Sequence, residues 1–146
     1  MIYVDTSVLG ALFFREPGAA KILRDLASRR ESGLVISAWS LTEMASVGGI
    51  KERTGAIDAM TRQLALARFQ RFVSAQLTLC EVEPADYRTA AVLIEGPFAL
   101  RAGDALHLAI ARRLQAQLCS LDRQQRVAAE GLGIGVVTLG DNRLPL

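Results

Sequence analysis

Five short apolar runs alternate with longer stretches in helical register, and this alternation restricts the fold more than any other feature of the 146 residues. The runs are MIYV at 1–4, LVI at 34–36, LTLCEV at 77–82, LCSL at 118–121 and IGVVT at 134–138. Between them the spacing predicts helices over Val8–Phe14, from Pro17 at the first helical position to about Arg30, over Ala38–Arg53, Ala56–Gln76, Pro84–Glu95, Gly103–Gln117 and Asp122–Glu130. Gly48-Gly49 is a weak point or kink in the third of these. Short strands separated by amphipathic helices form a three-layer α/β/α sandwich around a mostly parallel sheet, here of about five strands. The length fits one domain, 1–146, with a core large enough to need no disulfide staples.

Parallel sheets of this kind bind ligands outside the carboxyl ends of their strands. Asp5 ends the first strand and Asp122 the fourth. Glu43 lies in the second turn of the helix leaving the second strand, near the same edge. Asp104 opens the helix that feeds the fourth strand; that helix runs antiparallel to the strand, so its start lies where the strand ends. The preceding helix travels about 17 Å away from this edge, and the link Gly96–Ala102 can span at most about 23 Å, enough to return. Four acids from four segments therefore converge on one edge. Asp5, Asp104 and Asp122 also qualify as ordinary helix N-caps, although Thr6 and Ser7 could cap in place of Asp5. Clustered carboxylates must protonate or hold cations, and all-oxygen ligation suits Mg²⁺ or Mn²⁺, whose chemistry is activation of water at a phosphoryl centre.

The charge pattern agrees. Seventeen Lys and Arg against fifteen Asp and Glu give +2, and fifteen of the seventeen cations are arginine. With the four acids set aside, the remainder of the chain is clearly basic, and an acidic pit in a basic shell suits a nuclease. Zinc is nearly excluded: Cys80 and Cys119 have no ligand spacing, and His107 is the only imidazole. Disorder is excluded by 51% hydrophobic and 22% charged residues. No apolar run approaches a membrane span, and the opening MIYVDTSVL lacks the pattern of a signal peptide. A soluble, cytoplasmic protein without membrane contact is expected.

The chain resembles the PIN-domain ribonucleases, most closely the VapC toxins of toxin–antitoxin pairs. VDTSVL is similar to that family's first acid with its hydroxyl residues, SLTEMAS to its glutamate helix, GDALHLAIA to its third acidic motif, and SLDRQQRVAAEGLGIGV to its fourth acid and closing strand. The resemblance implies that Asp5, Glu43, Asp104 and Asp122 are the catalytic, metal-binding acids, with Thr6 or Ser7 in support. It also implies divalent metal, endonucleolytic cleavage of RNA, and a homodimer. The implied partner is a small VapB-type antitoxin whose tail occupies the groove, with DNA reached only through that antitoxin. A housekeeping RNA-processing nuclease would have the same site chemistry, whereas a non-catalytic RNA-binding domain of the same fold would show the loss of one of the acids, and all four are present. A dehalogenase-type phosphatase would need a second Asp where Ser7 stands.

Other residues have two readings. Arg101 and Arg123 flank two of the acids and either contact substrate phosphate or serve the surface. Arg53, Arg62, Arg68 and Arg71 could line a substrate path, but a solvated helix face is the commoner explanation. His107, three residues after Asp104, is expected to pack and bond locally within its helix rather than shuttle protons. Trp39, Met60, Leu64, Phe69, Phe72 and Val73 are expected in the core, any exposed remainder marking a partner surface. Leu12, Phe13, Leu41 and Met44 are expected to wall the pit.

Overall fold

A computed structural model describes residues 1–140. Its elements run β1 (Ile2–Val4), α1 (Thr6–Phe13), α2 (Ala19–Ser28), β2 (Leu34–Ser37), α3 (Ala38–Arg53), α4 (Ala59–Gln76), β3 (Thr78–Cys80), α5 (Pro84–Glu95), α6 (Ala102–Arg113), β4 (Gln117–Cys119), α7 (Arg123–Gly131) and β5 (Val136–Val137). Among the described residues five strands make one sheet in the order β3-β2-β1-β4-β5, every pairing parallel. The three-layer expectation is met. On β1, alternation sends Ile2 and Val4 to one face, where they pack with Leu9, Leu26, Met44 and Phe69 of α1–α4. Tyr3 points to the other face and joins Leu93 of α5, Leu106 and Leu108 of α6, and Ala128 of α7.

Several boundaries differ from the sequence reading, each for a local reason. Pro17 is not the first residue of α2: Gly18 caps that helix in the left-handed region at φ 88°, a conformation glycine adopts without strain. Helix α4 begins at Ala59, because Asp58 accepts from the Thr61 N–H at 2.7 Å and ends the preceding loop. Helix α6 stops at Arg113, since Gln117 is recruited into β4 opposite Ile2, its N–H donating to the Met1 carbonyl at 3.0 Å. Helix α3 runs unbroken through Gly48-Gly49. A Cβ added at Gly48 would sit 3.2 Å from both Phe14 and Arg62, so this glycine serves close packing of α3 rather than a kink.

Phe69 is buried, but Met60 (61% exposed) and Leu64 (49%) are not core residues, so α4 carries the exposed apolar remainder. Met44 is fully buried and walls nothing. Leu12 and Phe13 are partly buried against the same core, while Leu41 reaches the surface. Arg62 is paired with Glu52 at 2.7 Å, a structural role. No helix among the described residues is long and apolar enough to cross a membrane.

The end of α7 offers a stability test. A Cβ on Gly131 would lie 2.2 Å from the Phe98 ring, which packs on the α5–α6 core. Gly131→Ala is expected to lower unfolding free energy in urea by about 1–3 kcal/mol, the usual cost of overpacking.

Candidate active site

Strands β1 and β4 are neighbours at the point where the sheet order reverses: β2 and β3 follow on one side, β5 on the other. The crevice outside the carboxyl ends of the strands at such a point is the ordinary ligand site of an open parallel sheet. The Asp5 N–H donates to the Cys119 carbonyl at 3.0 Å and closes the pairing there.

Asp5 is 2% exposed. Its Oδ1 accepts from the Ser7 N–H (3.1 Å), the Ser7 hydroxyl (2.5 Å) and the Val8 N–H (3.4 Å). It is therefore the N-cap of α1. Burial raises its carboxyl pKa above the ordinary value, against the lowering influence of His107 and of the serine and backbone donors. Ser7 also accepts from the Leu121 N–H at 2.9 Å, and Ser120 accepts from the Asp122 N–H at 3.0 Å. Seryl hydroxyls thus tie the segment after β1 to the segment after β4.

Glu43, on the second turn of α3, accepts through Oε1 from the Thr6 hydroxyl at 2.8 Å and from His107 Nε2. Burial pushes the Glu43 pKa upward, but the His107 bond and charge and the Thr6 hydroxyl outweigh it, and the carboxyl ends below its ordinary value. Asp104 is not an N-cap: Arg101 occupies that position, and Asp104 lies in the first turn of α6. Its carboxyl is raised by burial first, then by the charge of Asp122 and, more weakly, of Glu43. Asp122 caps α7, accepting from the Gln124 and Gln125 N–H groups at 2.9 and 3.3 Å. The Gln125 side chain donates to the Asp104 carbonyl at 3.3 Å and ties α7 to α6.

Glu43, Asp104 and Asp122 line one cavity of about 350 Å³ together with Trp39, Arg101, Gly103 and Gln124. Asp5 is not among its lining residues. Nor is Arg123, which is exposed. Among the described residues no three acidic, histidine or cysteine side chains already stand as a ready-made metal cage. A larger hollow of about 390 Å³ lies between α3, α4 and β3; it is lined by Leu41, Leu66, Phe69 and Leu79 among others and contains no acid.

A PIN-domain family model matches residues 2–131. The chain belongs to the PIN-domain family. A relative, ribonuclease VapC46 of Mycobacterium tuberculosis, is 31% identical over 141 residues, covering 93% of this chain and 95% of the relative. Among solved structures, FitAcB of Neisseria gonorrhoeae superposes with a TM-score of 0.72 at 15% identity, covering 94% of this chain and 97% of that one. The toxin VapC20 of M. tuberculosis, described as cleaving the sarcin–ricin loop, gives 0.66 at 20% identity, covering 88% and 95%. VapBC2 of Rickettsia felis, bound to a promoter DNA fragment, gives 0.70 at 13% identity, covering 94% and 98%. These superpositions establish the PIN fold for this chain.

On this PIN fold the sequence reading missed or misjudged four residues. His107 does not bond locally; it is 2% exposed, and its ring partners are Tyr3, Thr6 and Glu43, distant in the chain. Trp39 is not simply core: it lines the acidic cavity, and its buried indole N–H has no partner among the described residues. Its spacing four residues before Glu43 places both on one face of α3, a signal the sequence carried. Gln124 and Ser120 became visible only once the loop after β4 was folded beside β1.

Proposed function

We propose that this chain is a divalent-metal-dependent endoribonuclease of the VapC toxin class, formed as a single domain over 1–146. The observation that carries the reading is the convergence of Glu43, Asp104 and Asp122, from three separate segments, on one cavity at the reversal point of the sheet. The donor set fits Mg²⁺ or Mn²⁺: it is all oxygen, and mutual repulsion helps raise the Asp104 carboxyl, a cost that a bound cation relieves. Asp5, Glu43, Asp104 and Asp122 would hold the metal, Asp5 from its buried place as the N-cap of α1. A bound Mg²⁺ or Mn²⁺ supplies water activation and charge neutralisation at the scissile phosphate. The chain's own residues do the positioning. Thr6 and His107 hold Glu43, Ser7 holds Asp5, and the α7 N-terminus holds Asp122. Arg101, exposed on the cavity rim and without an ion-pair partner among the described residues, is placed to bind a substrate phosphate. Arg123, outside the cavity, would reach only a neighbouring nucleotide.

The toxin reading is supported by the 31% identity to a protein named ribonuclease VapC46. It brings with it a VapB-type antitoxin and a homodimer. The exposed apolar side chains of α4 (Met60, Leu64), the hollow beside Leu41, and α5 (Tyr87, Val92, Ile94) offer surfaces for both. DNA would be reached only through the antitoxin.

Purified protein is expected to cleave RNA with Mg²⁺ or Mn²⁺ and to stop on addition of EDTA. Undiminished cleavage in EDTA, with contaminating nuclease excluded, overturns the metal mechanism. Growth arrest on expression, relieved by a small protein encoded beside this one, distinguishes a toxin from a housekeeping nuclease.

A further inference from the structure

The chain has one histidine, and the fold spends it in the interior. Both ring nitrogens of His107 are engaged. Nδ1 meets the Tyr3 hydroxyl at 2.6 Å, and the Tyr3 hydroxyl meets the Ser37 hydroxyl at 2.8 Å. Nε2 bonds Glu43 Oε1 and lies 3.3 Å from the Thr6 hydroxyl. These five side chains come from five elements, β1, β2, α1, α3 and α6.

Donor chemistry gives the network a direction. An ionised carboxylate only accepts, so the nitrogen facing Glu43 must carry hydrogen. Were the hydrogen on Nδ1 alone, a bare Nε2 lone pair would face the carboxylate. Burial pushes the Tyr3 phenol well above its ordinary pKa, so it keeps its hydrogen and remains a partner for Nδ1. Glu43 Oε1 is then taken by two donors, Thr6 and His107. Oε2 lies on the cavity side, 3.1 Å from the position a Cβ on Gly103 would occupy. A side chain at Gly103 would crowd that oxygen.

We propose that Tyr3 is a positioning residue of the acidic site: its phenol holds His107 with Nε2–H toward Glu43, which fixes Glu43 by Oε1 and presents Oε2 to a divalent cation. The proposal rests on the metal reading above only for its last step. Tyr3 itself touches neither cavity nor cation, and it acts through a ring one residue removed.

The test uses the full chain, in which the ¹⁵N resonances of a single histidine need no assignment by mutation. In the wild type, long-range ¹H–¹⁵N spectra are expected to show a protonated Nε2 and one ring state. In Tyr3→Phe the ring is expected to lose that single state, and Mn²⁺ affinity, measured by calorimetry with Mn²⁺ alone, to fall about 10-fold, as when an outer-shell partner of a ligand is removed. A bare Nε2 in the wild type overturns the proposal, and this measurement stands even if the variant fails to fold. An unchanged spectrum in folded Tyr3→Phe, or an unchanged Mn²⁺ affinity beside a changed spectrum, overturns it too. If the wild type binds no Mn²⁺, the metal reading falls by itself, and the spectra alone decide whether Tyr3 holds His107 against Glu43.

Discussion

Asp104→Asn is expected to reduce RNA cleavage by at least about 100-fold while leaving the protein as stable as before or more so. The side chain is nearly isosteric, so packing is kept. Asp104 is not the N-cap of its helix, so no cap is lost. What changes is charge: the amide relieves the repulsion from Asp122 and Glu43 that helps hold the Asp104 carboxyl above its ordinary value. Loss of a favourable first-turn charge costs about 0.3–1 kcal/mol and offsets part of that gain. Asp5→Asn should lower cleavage likewise, because the amide removes the charge of the fourth acid of the proposed metal site, and it should keep stability for a different reason. Asn caps a helix about as well as Asp. Burial raises the Asp5 pKa in the folded state, so its charge costs stability above that pKa, and the cost disappears as pH falls below the unfolded value. At neutral pH the Asn variant should therefore melt no earlier than the wild type, and its advantage should shrink in acid. Cleavage assays beside thermal melts decide both variants. Near-wild-type cleavage by either would return that aspartate to a purely structural role.

Asp86→Ala should destabilise the fold by about 3 kcal/mol, the lower end of the range for breaking a buried ion pair. Asp86 is 2% exposed. Its carboxylate takes a two-pronged bond from Arg113, Nε to Oδ1 at 2.8 Å and Nη2 to Oδ2 at 2.9 Å, and also accepts the Glu83 N–H at 2.8 Å. The pair clamps α5 to α6, the helix that carries Asp104 and His107. Alanine leaves the Glu83 N–H and the Arg113 Nε–H without their acceptor, while Arg113 keeps the Glu83 carboxylate at 3.3 Å and the Glu81 carbonyl at 3.1 Å. Arg113 is 28% exposed, and water partly compensates it, hence the lower figure. Burial would raise the Asp86 pKa, but the Arg113 bonds, the Glu83 N–H and the Arg113 charge hold it below the ordinary value. For a carboxyl with a lowered folded pKa, the stabilisation is full above the unfolded pKa near 4 and is lost as pH falls through the folded pKa. Urea unfolding of wild type and variant should therefore differ most at neutral pH and converge only at acid pH, below the lowered folded pKa of Asp86. A constant gap down to that pH would show that packing, not the ion pair, carries the effect.

Much of this protein is local and was legible before folding. Helices α3 and α5 have the expected bounds, since Ser37 and Glu83 precede clean helical registers and Gly96 follows the second. The four acids were traceable to one edge because a strand's end and the direction of the next helix follow from chain order alone. Three of them line the cavity, and the fourth, Asp5, is buried as the N-cap of α1. Where reading failed locally, a competing bond decided: Asp58 delays α4, and pairing with Ile2 takes Gln117 out of α6.

The sequence by itself determined the alternation of strand and helix, and with it the layered fold and the edge at which the acids gather, because periodicity and capping act over a few residues. Only the tertiary structure decided that β4 lies beside β1, which sets Ser120 against Ser7 and Asp122 beside Asp104. It also decided the fate of His107. Three residues from Asp104 in sequence, its ring turns instead to Tyr3, 104 positions away, and Glu43, 64 away. No local pattern encodes such partners. They follow from which faces of β1, α3 and α6 the packing of two cores on one sheet brings together.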